Sequence, residues 1–135
     1  MSKEYINPKE LFPSLQYGFS QIVTSGSGKM VFLSGQVGWD EQQQIVGAND
    51  LQAQTWQAFR NIEIAIKAAG GALTDIVSMR LYIVEEKMEE SRHIQAALKE
   101  FFPADHAPTT TWIGVRRLAN KDFLIEIEAV GVIKN

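Results

Sequence analysis

The chain has 135 residues, 45% hydrophobic and 21% charged, with a net charge of -3 and no cysteine. That length suits one domain, residues 1–135, and the acidic balance counts against a nucleic-acid binder that works by neutralising phosphates. The missing thiols exclude disulfides, thiolate metal centres and a cysteine nucleophile.

No apolar run approaches the roughly 18 residues that a bilayer span needs. The opening MSKEYINPKE lacks the apolar core of a signal peptide. A cytoplasmic protein without a membrane partner is expected. His93 and His106 are the only imidazoles. They are too few for a structural metal's ligand count, and neither a metal nor a cofactor is expected.

In chain order, the first strand candidates are SQIVTS from Ser20 and KMVFLSGQ from Lys29. Gly26, Ser27 and Gly28 between them suit a hairpin loop. GSGKM lacks both the spacing and the trailing hydroxyl of a phosphate loop, so it reads as a turn. Gly35 and Gly38, either side of Gln36, allow close backbone approach. QQQ at Gln42–Gln44 is a polar turn.

A helix follows from Leu51 to Ala69, capped by Asn49 or Asp50 and ended by Gly70 and Gly71. Ala58, Phe59, Ile62, Ala65, Ile66 and Ala69 form its buried stripe, and Trp56 lies off the centre of it. The next strand, Asp75 to Val84, carries Val77, Met79, Leu81 and Ile83 on one face and Ser78, Arg80, Tyr82 and Val84 on the other. A second helix spans about Met88 to Phe102. After the loop PADHAP come a strand from Thr109 and a last strand from Phe123 to Ile133.

This order predicts an α+β fold, a mixed sheet with two helices packed on one face. The last strand has Phe123, Ile125, Ile127 and Ala129 on one side and Leu124, Glu126, Glu128, Val130 and Val132 on the other. Both sides are substantially apolar, yet two helices cover only one. A further copy of the chain is the expected cover for the second face.

Several stretches, taken together and in order, resemble the RidA/YjgF family of imine and enamine deaminases. YGFSQIV is similar to the family's GPYSQAV, and VFLSGQVG to VFVSGQxP. QTWQAFRNIEIAIKAAGGALTDIV is similar to QTxQxLxNIxxxLxAAGxxxxDVV, and LIEIEAVGV to VEIEAIAV. The resemblance runs from about Phe19 to Val132. It implies a chorismate-mutase-like fold and a homotrimer, with a small-molecule cleft at each subunit boundary on the sheet face away from the helices.

The family's deaminases grip a substrate carboxylate with the arginine of PAR[ST]. Here the stretch is PTTT: Pro108 matches the proline and Thr110 takes the arginine's place. Trp112 takes a position often held by cysteine and is expected to face the same cleft. Glu126, the first Glu of EIE, matches the acidic residue that positions water. Ser34 matches the serine of SGQ, and Phe19 stands where tyrosine is common. The resemblance therefore implies a catalytic Glu126, with Phe19, Ser34, Thr110 and Trp112 touching substrate.

Read as residues alone, these positions keep alternatives. Glu126 is a general base or the ion-pair partner of Arg80, while Glu128 reads as structural. Thr110 offers one hydrogen bond to a ligand or is a β-branched strand former. Trp112 offers a flat wall and one N–H donor, or packing at a subunit contact. Thr109 and Thr111, on the opposite face, read as strand formers. Arg80, Arg116 and Arg117 are the candidates to replace the missing guanidinium, and His106 lines the cleft mouth or lies on the surface. Ser34 has no triad-like partners.

Threonine cannot make the bidentate grip of an arginine, which weakens the expectation of 2-imino acid deamination. A neutral or aromatic substrate suits Thr110, Trp112 and Phe19 better. The expected function is hydrolysis of a reactive imine or enamine. The alternative is a non-enzymatic small-metabolite binder. An endoribonuclease is a further alternative, and the absence of a basic–aromatic platform counts against it.

Overall fold

In the computed structural model, which describes residues 2–134, the amphipathic stripe of the first helix becomes the centre of the core. Helix α1 runs Leu51–Ala68. Ala58, Phe59, Ile62 and Ile66 are all fully buried, whereas Trp56 at the margin of the stripe is partly exposed. Asp50 is the cap: its side chain accepts from the Ala53 N–H at 3.1 Å. Asn49, the other candidate, instead takes a left-handed turn conformation with φ 56°. Asp50→Ala should cost about 1 kcal/mol, read as a lower urea midpoint at unchanged slope. Past the helix only Gly70 is left-handed, with φ 95°. Gly71 is small for another reason, because a side chain there would run into Ile133.

The strands are β1 (Lys3–Ile6), β2 (Ile22–Ser25), β3 (Lys29–Val37), β4 (Ile76–Val84), β5 (Thr109–Val115) and β6 (Ile125–Ile133). The main sheet has the order β3-β6-β4-β5, with β4 and β5 parallel and the other pairs antiparallel. Met79, Leu81 and Ile83 of β4 and Ile125, Ile127 and Ala129 of β6 point to the helices and join their core. The helices thus cover one face of a mixed sheet, as the strand pattern implies. The other face carries Phe32 (72% exposed) and Met30 (58% exposed) beside Arg80, Tyr82, Glu126 and Glu128. No helix among the described residues is long and apolar enough to cross a membrane.

Three expectations change. The hairpin across Gly26–Gly28 does not form, because β2 pairs with the unforeseen β1, Lys3 opposite Ser25, in a separate ribbon. The glycine-flanked turn carries the chain from that ribbon to the main sheet. A Lys3–Asp75 ion pair at 3.4 Å and the Tyr5 ring against His106 hold the ribbon to the body.

The second helix is shorter than read. A tight helical segment spans Glu85–Glu90, and helix α2 runs only Arg92–Phe101. Glu85 and Glu89, and likewise Glu86 and Glu90, would stand one α-turn apart as like charges, which disfavours a continuous α-helix there. Finally, β6 begins at Ile125. Phe123 belongs to a turn, its N–H donating to the Asn120 carbonyl at 3.0 Å, and its ring packs edge-on against Trp39.

Candidate functional site

The pairing of β3 with β6 breaks where the SGQ stretch falls. Leu33 sits opposite Ala129, but the next pair is Gln36 with Ile127, so Ser34 and Gly35 bulge out of register. The Glu126 side chain folds over the space this opens. A Cβ at Gly35 would collide with the Glu126 carboxylate and the Cγ behind it. Among the described residues no hydrogen bond or ion pair engages that carboxylate; the nearby Arg80 and Tyr82 both bind Glu128 instead.

Glu126 lies on the boundary of two adjoining cavities. One, of about 660 Å³, is lined by Trp39, Gln57, Asn61 and Phe123 among others. The other, of about 290 Å³, is lined by Gly35, Tyr82, Leu118 and Glu128. Gly35→Ala should turn the carboxylate out of its place with a stability change under about 1 kcal/mol, because only a flexible side chain has to move. The check is loss of ligand binding or turnover at a nearly unchanged melting temperature.

The alternative that Arg80 pairs with Glu126 is corrected by the register. Arg80 stands opposite Glu128, and its guanidinium lies 3.6 Å from that carboxylate. Tyr82, opposite Glu126 in the ladder, donates its hydroxyl to Glu128 at 2.5 Å. That hydrogen bond, followed by burial and the Glu128 charge, raises the Tyr82 pKa above its ordinary value. Glu128→Gln should lower the pH at which the Tyr82 phenolate forms, read by its ultraviolet absorbance. Glu128 is thus the structural carboxylate and Glu126 the uncommitted one.

The second group of expected residues lies elsewhere. On β5, Thr110 stands beside Met79 and Trp112 beside Leu81, both of which face the helices. Thr109, Thr111 and Ile113 stand beside Ser78, Arg80 and Tyr82 on the open face. The expectation that Thr110 and Trp112 lie on the sheet face away from the helices is therefore corrected. They occupy the helix side of one edge strand, whereas Glu126 lies on the open side next to the other edge strand.

The Trp112 indole N–H donates to the Thr110 hydroxyl at 3.0 Å. Phe19 packs on Trp112 with ring centres 6.2 Å apart, Phe12 on Phe19 at 6.1 Å and Tyr17 on Phe12 at 6.4 Å. Phe12 is 56% exposed, so this row of rings is open to solvent at the sheet edge.

Of the remaining candidates, Ser34 is exposed on the bulge beside Gly35. Arg116 is exposed just beyond the end of β5. Arg117 curls back to donate to the Leu118 and Ala119 carbonyls. His106 lies 3.1 Å from Asp105 and against Tyr5, at the ribbon rather than beside Trp112. Sequence reasoning missed Phe12, Tyr17, Trp39 and Tyr82. Tyr82 was open to discovery, since the alternation on β4 places it on the polar face with Arg80.

Comparison with known proteins is consistent along nearly the whole chain. The family model described as Endoribonuclease L-PSP matches residues 12–133. A 2-iminobutanoate/2-iminopropanoate deaminase of Dermatophagoides farinae is 29% identical over 99% of this chain and 100% of its own length. A Salmonella typhimurium protein of the same name is 34% identical, over 78% of this chain and 80% of its own. The crystal structure of YyfB from Yersinia pestis, of the conserved Rid protein family, superposes with a TM-score of 0.93 at 34% identity, covering 98% of this chain and 100% of that one.

Proposed function

The chain belongs to the family described as Endoribonuclease L-PSP, the RidA/YjgF family of the sequence resemblance, and from that membership we propose that it is a homotrimer that hydrolyses a reactive imine or enamine in clefts between its subunits. The observation that carries this reading is the separation of the two half-sites. One chain holds Glu126, Gly35 and Ser34 at the β3 side and Thr110, Trp112 and Phe19 at the β5 edge. A head-to-tail ring that packs the β5 edge of one copy against the open face beside β3 of the next joins the halves. It also covers Met30 and Phe32, which a lone chain leaves exposed.

In such a cleft Glu126 accepts a proton from a water molecule as its oxygen attacks the imine carbon. The electron pair of the C=N bond moves to nitrogen. Glu126 then gives that proton to nitrogen; as the C–N bond breaks, the new hydroxyl yields its proton to the carboxylate and on to the departing ammonia, leaving a carbonyl product and ammonium. An oriented, unpaired carboxylate at a cavity boundary is suited to that task. The basic surface that RNA cleavage would need is not found along either cavity, whose charged lining residues are Asp40, Glu41, Glu126 and Glu128.

The test generates imines with an oxidase in the presence of semicarbazide, which traps whatever is not hydrolysed. Less semicarbazone and faster ammonia release with the protein present support the reading. Unchanged trapping, with a ligand that raises the melting temperature, would make the protein a binder instead.

A further inference from the structure

Resting on that shared cleft, we infer that its ligand carries no carboxylate, and is the protonated imine of a simple amine with an apolar or aromatic body. Three features of the walls point the same way. The charged groups that line the two cavities at Glu126 are all carboxylates, with no lysine or arginine among the lining residues. The guanidinium of Arg80, on the same open face, sits against Glu128, Arg117 is turned onto main-chain carbonyls, and Arg116 is exposed beyond the end of β5, outside both linings. An acid group entering here meets repulsion and finds no cation to replace its water.

The opposite wall is equally unsuited to an anion. The indole N–H of Trp112 donates to the Thr110 hydroxyl at 3.0 Å, so that donor is spent and a single neutral O–H, that of Thr110, is left to meet an anion. What remains is the row of ring faces from Tyr17 through Phe12 and Phe19 to Trp112. Ring faces attract cations and pack against apolar bodies. An iminium nitrogen held between Glu126 and these rings gains from both walls, whereas the carboxylate of a 2-imino acid gains from neither.

The chemistry balances with water alone: RCH=NH₂⁺ + H₂O gives RCHO + NH₄⁺. The reaction that supplies this substrate is therefore the two-electron oxidation of a primary amine, and the reaction that follows consumes an aldehyde.

Calorimetry on the intact oligomer with phenethylammonium and hydrocinnamate, which share a body and differ in charge, reads the preference directly. Phenethylammonium should bind at least about tenfold more tightly, since one close charge pair at a protein surface is worth that much. Glu126→Gln should erase most of the difference, and the near-isosteric change protects the fold. Equal or tighter binding of hydrocinnamate would overturn the inference, as would no binding of either at millimolar concentration. Turnover is read separately, with an amine oxidase making the imine from phenethylamine. A preference for the ammonium without turnover keeps the ligand class and removes the hydrolase. Turnover of 2-imino acids with tight hydrocinnamate binding keeps the hydrolase and removes the ligand class.

Discussion

Glu126→Gln should lower kcat/KM for imine hydrolysis by about a hundredfold to ten-thousandfold, the usual contribution of a positioned general base, while leaving the melting temperature within a degree or two. The two halves of this expectation come from different observations. The loss follows from the place of the carboxylate, at the boundary of two cavities and over the Gly35 bulge. The unchanged stability follows from its lack of partners: Glu128 holds Arg80 and Tyr82, so removing the charge at Glu126 orphans no donor. Glu128→Gln is the control, because it removes the charge that Tyr82 and Arg80 bind yet leaves the Glu126 carboxylate in place. Full activity in Glu126→Gln would remove the residue from the chemistry.

The largest stability effect is expected away from the apolar core, at Gln54→Met. Gln54 is fully buried on α1. Its amide donates to the Gly47 and Asp122 carbonyls, both at 3.1 Å, and accepts from the Leu124 N–H at 2.9 Å. It thereby ties the loop before α1 and the turn before β6 to one helix. Methionine preserves the volume but leaves two carbonyls and one buried N–H without partners, a cost of about 3 kcal/mol. The packing around it is close, since a side chain on Gly38 would strike Gln54. Urea denaturation reads the effect. A loss under about 1 kcal/mol would mean that water replaces the amide. The Asp122–Leu124 turn leads directly to Glu126, so a weakened site should accompany the lost stability.

How far the sequence could be read differs between the elements. The stripe of α1 was legible because each of its fully buried residues recurs at helical spacing and its cap is local. The sheet was legible from alternation on β4 and β6, including the face the helices leave open. The ribbon was not, because KEYI is a short charged strand whose only ladder partner is some twenty residues away. The candidate site was legible as a set of residues and not as an arrangement. Alternation says that Thr110 and Trp112 share a face of β5, but on an edge strand with partly buried residues on both sides it does not say which. That choice is made by the pairing of Thr109 with Ser78, a long-range contact. The resemblance placed the whole set on the sheet face away from the helices, whereas in each chain Thr110 and Trp112 lie on the helix side. The carbonyl ties of Gln54 gave no pattern at all, since one buried amide has no period.

The proposed cleft is complete only when a second copy of this chain joins the first. Sedimentation equilibrium at micromolar concentration tests it most directly. A single species with three times the mass of the 15.1 kDa chain is the expected result. A species of 15.1 kDa at that concentration would leave Glu126 and Trp112 on opposite sides of an isolated sheet, and would contradict it.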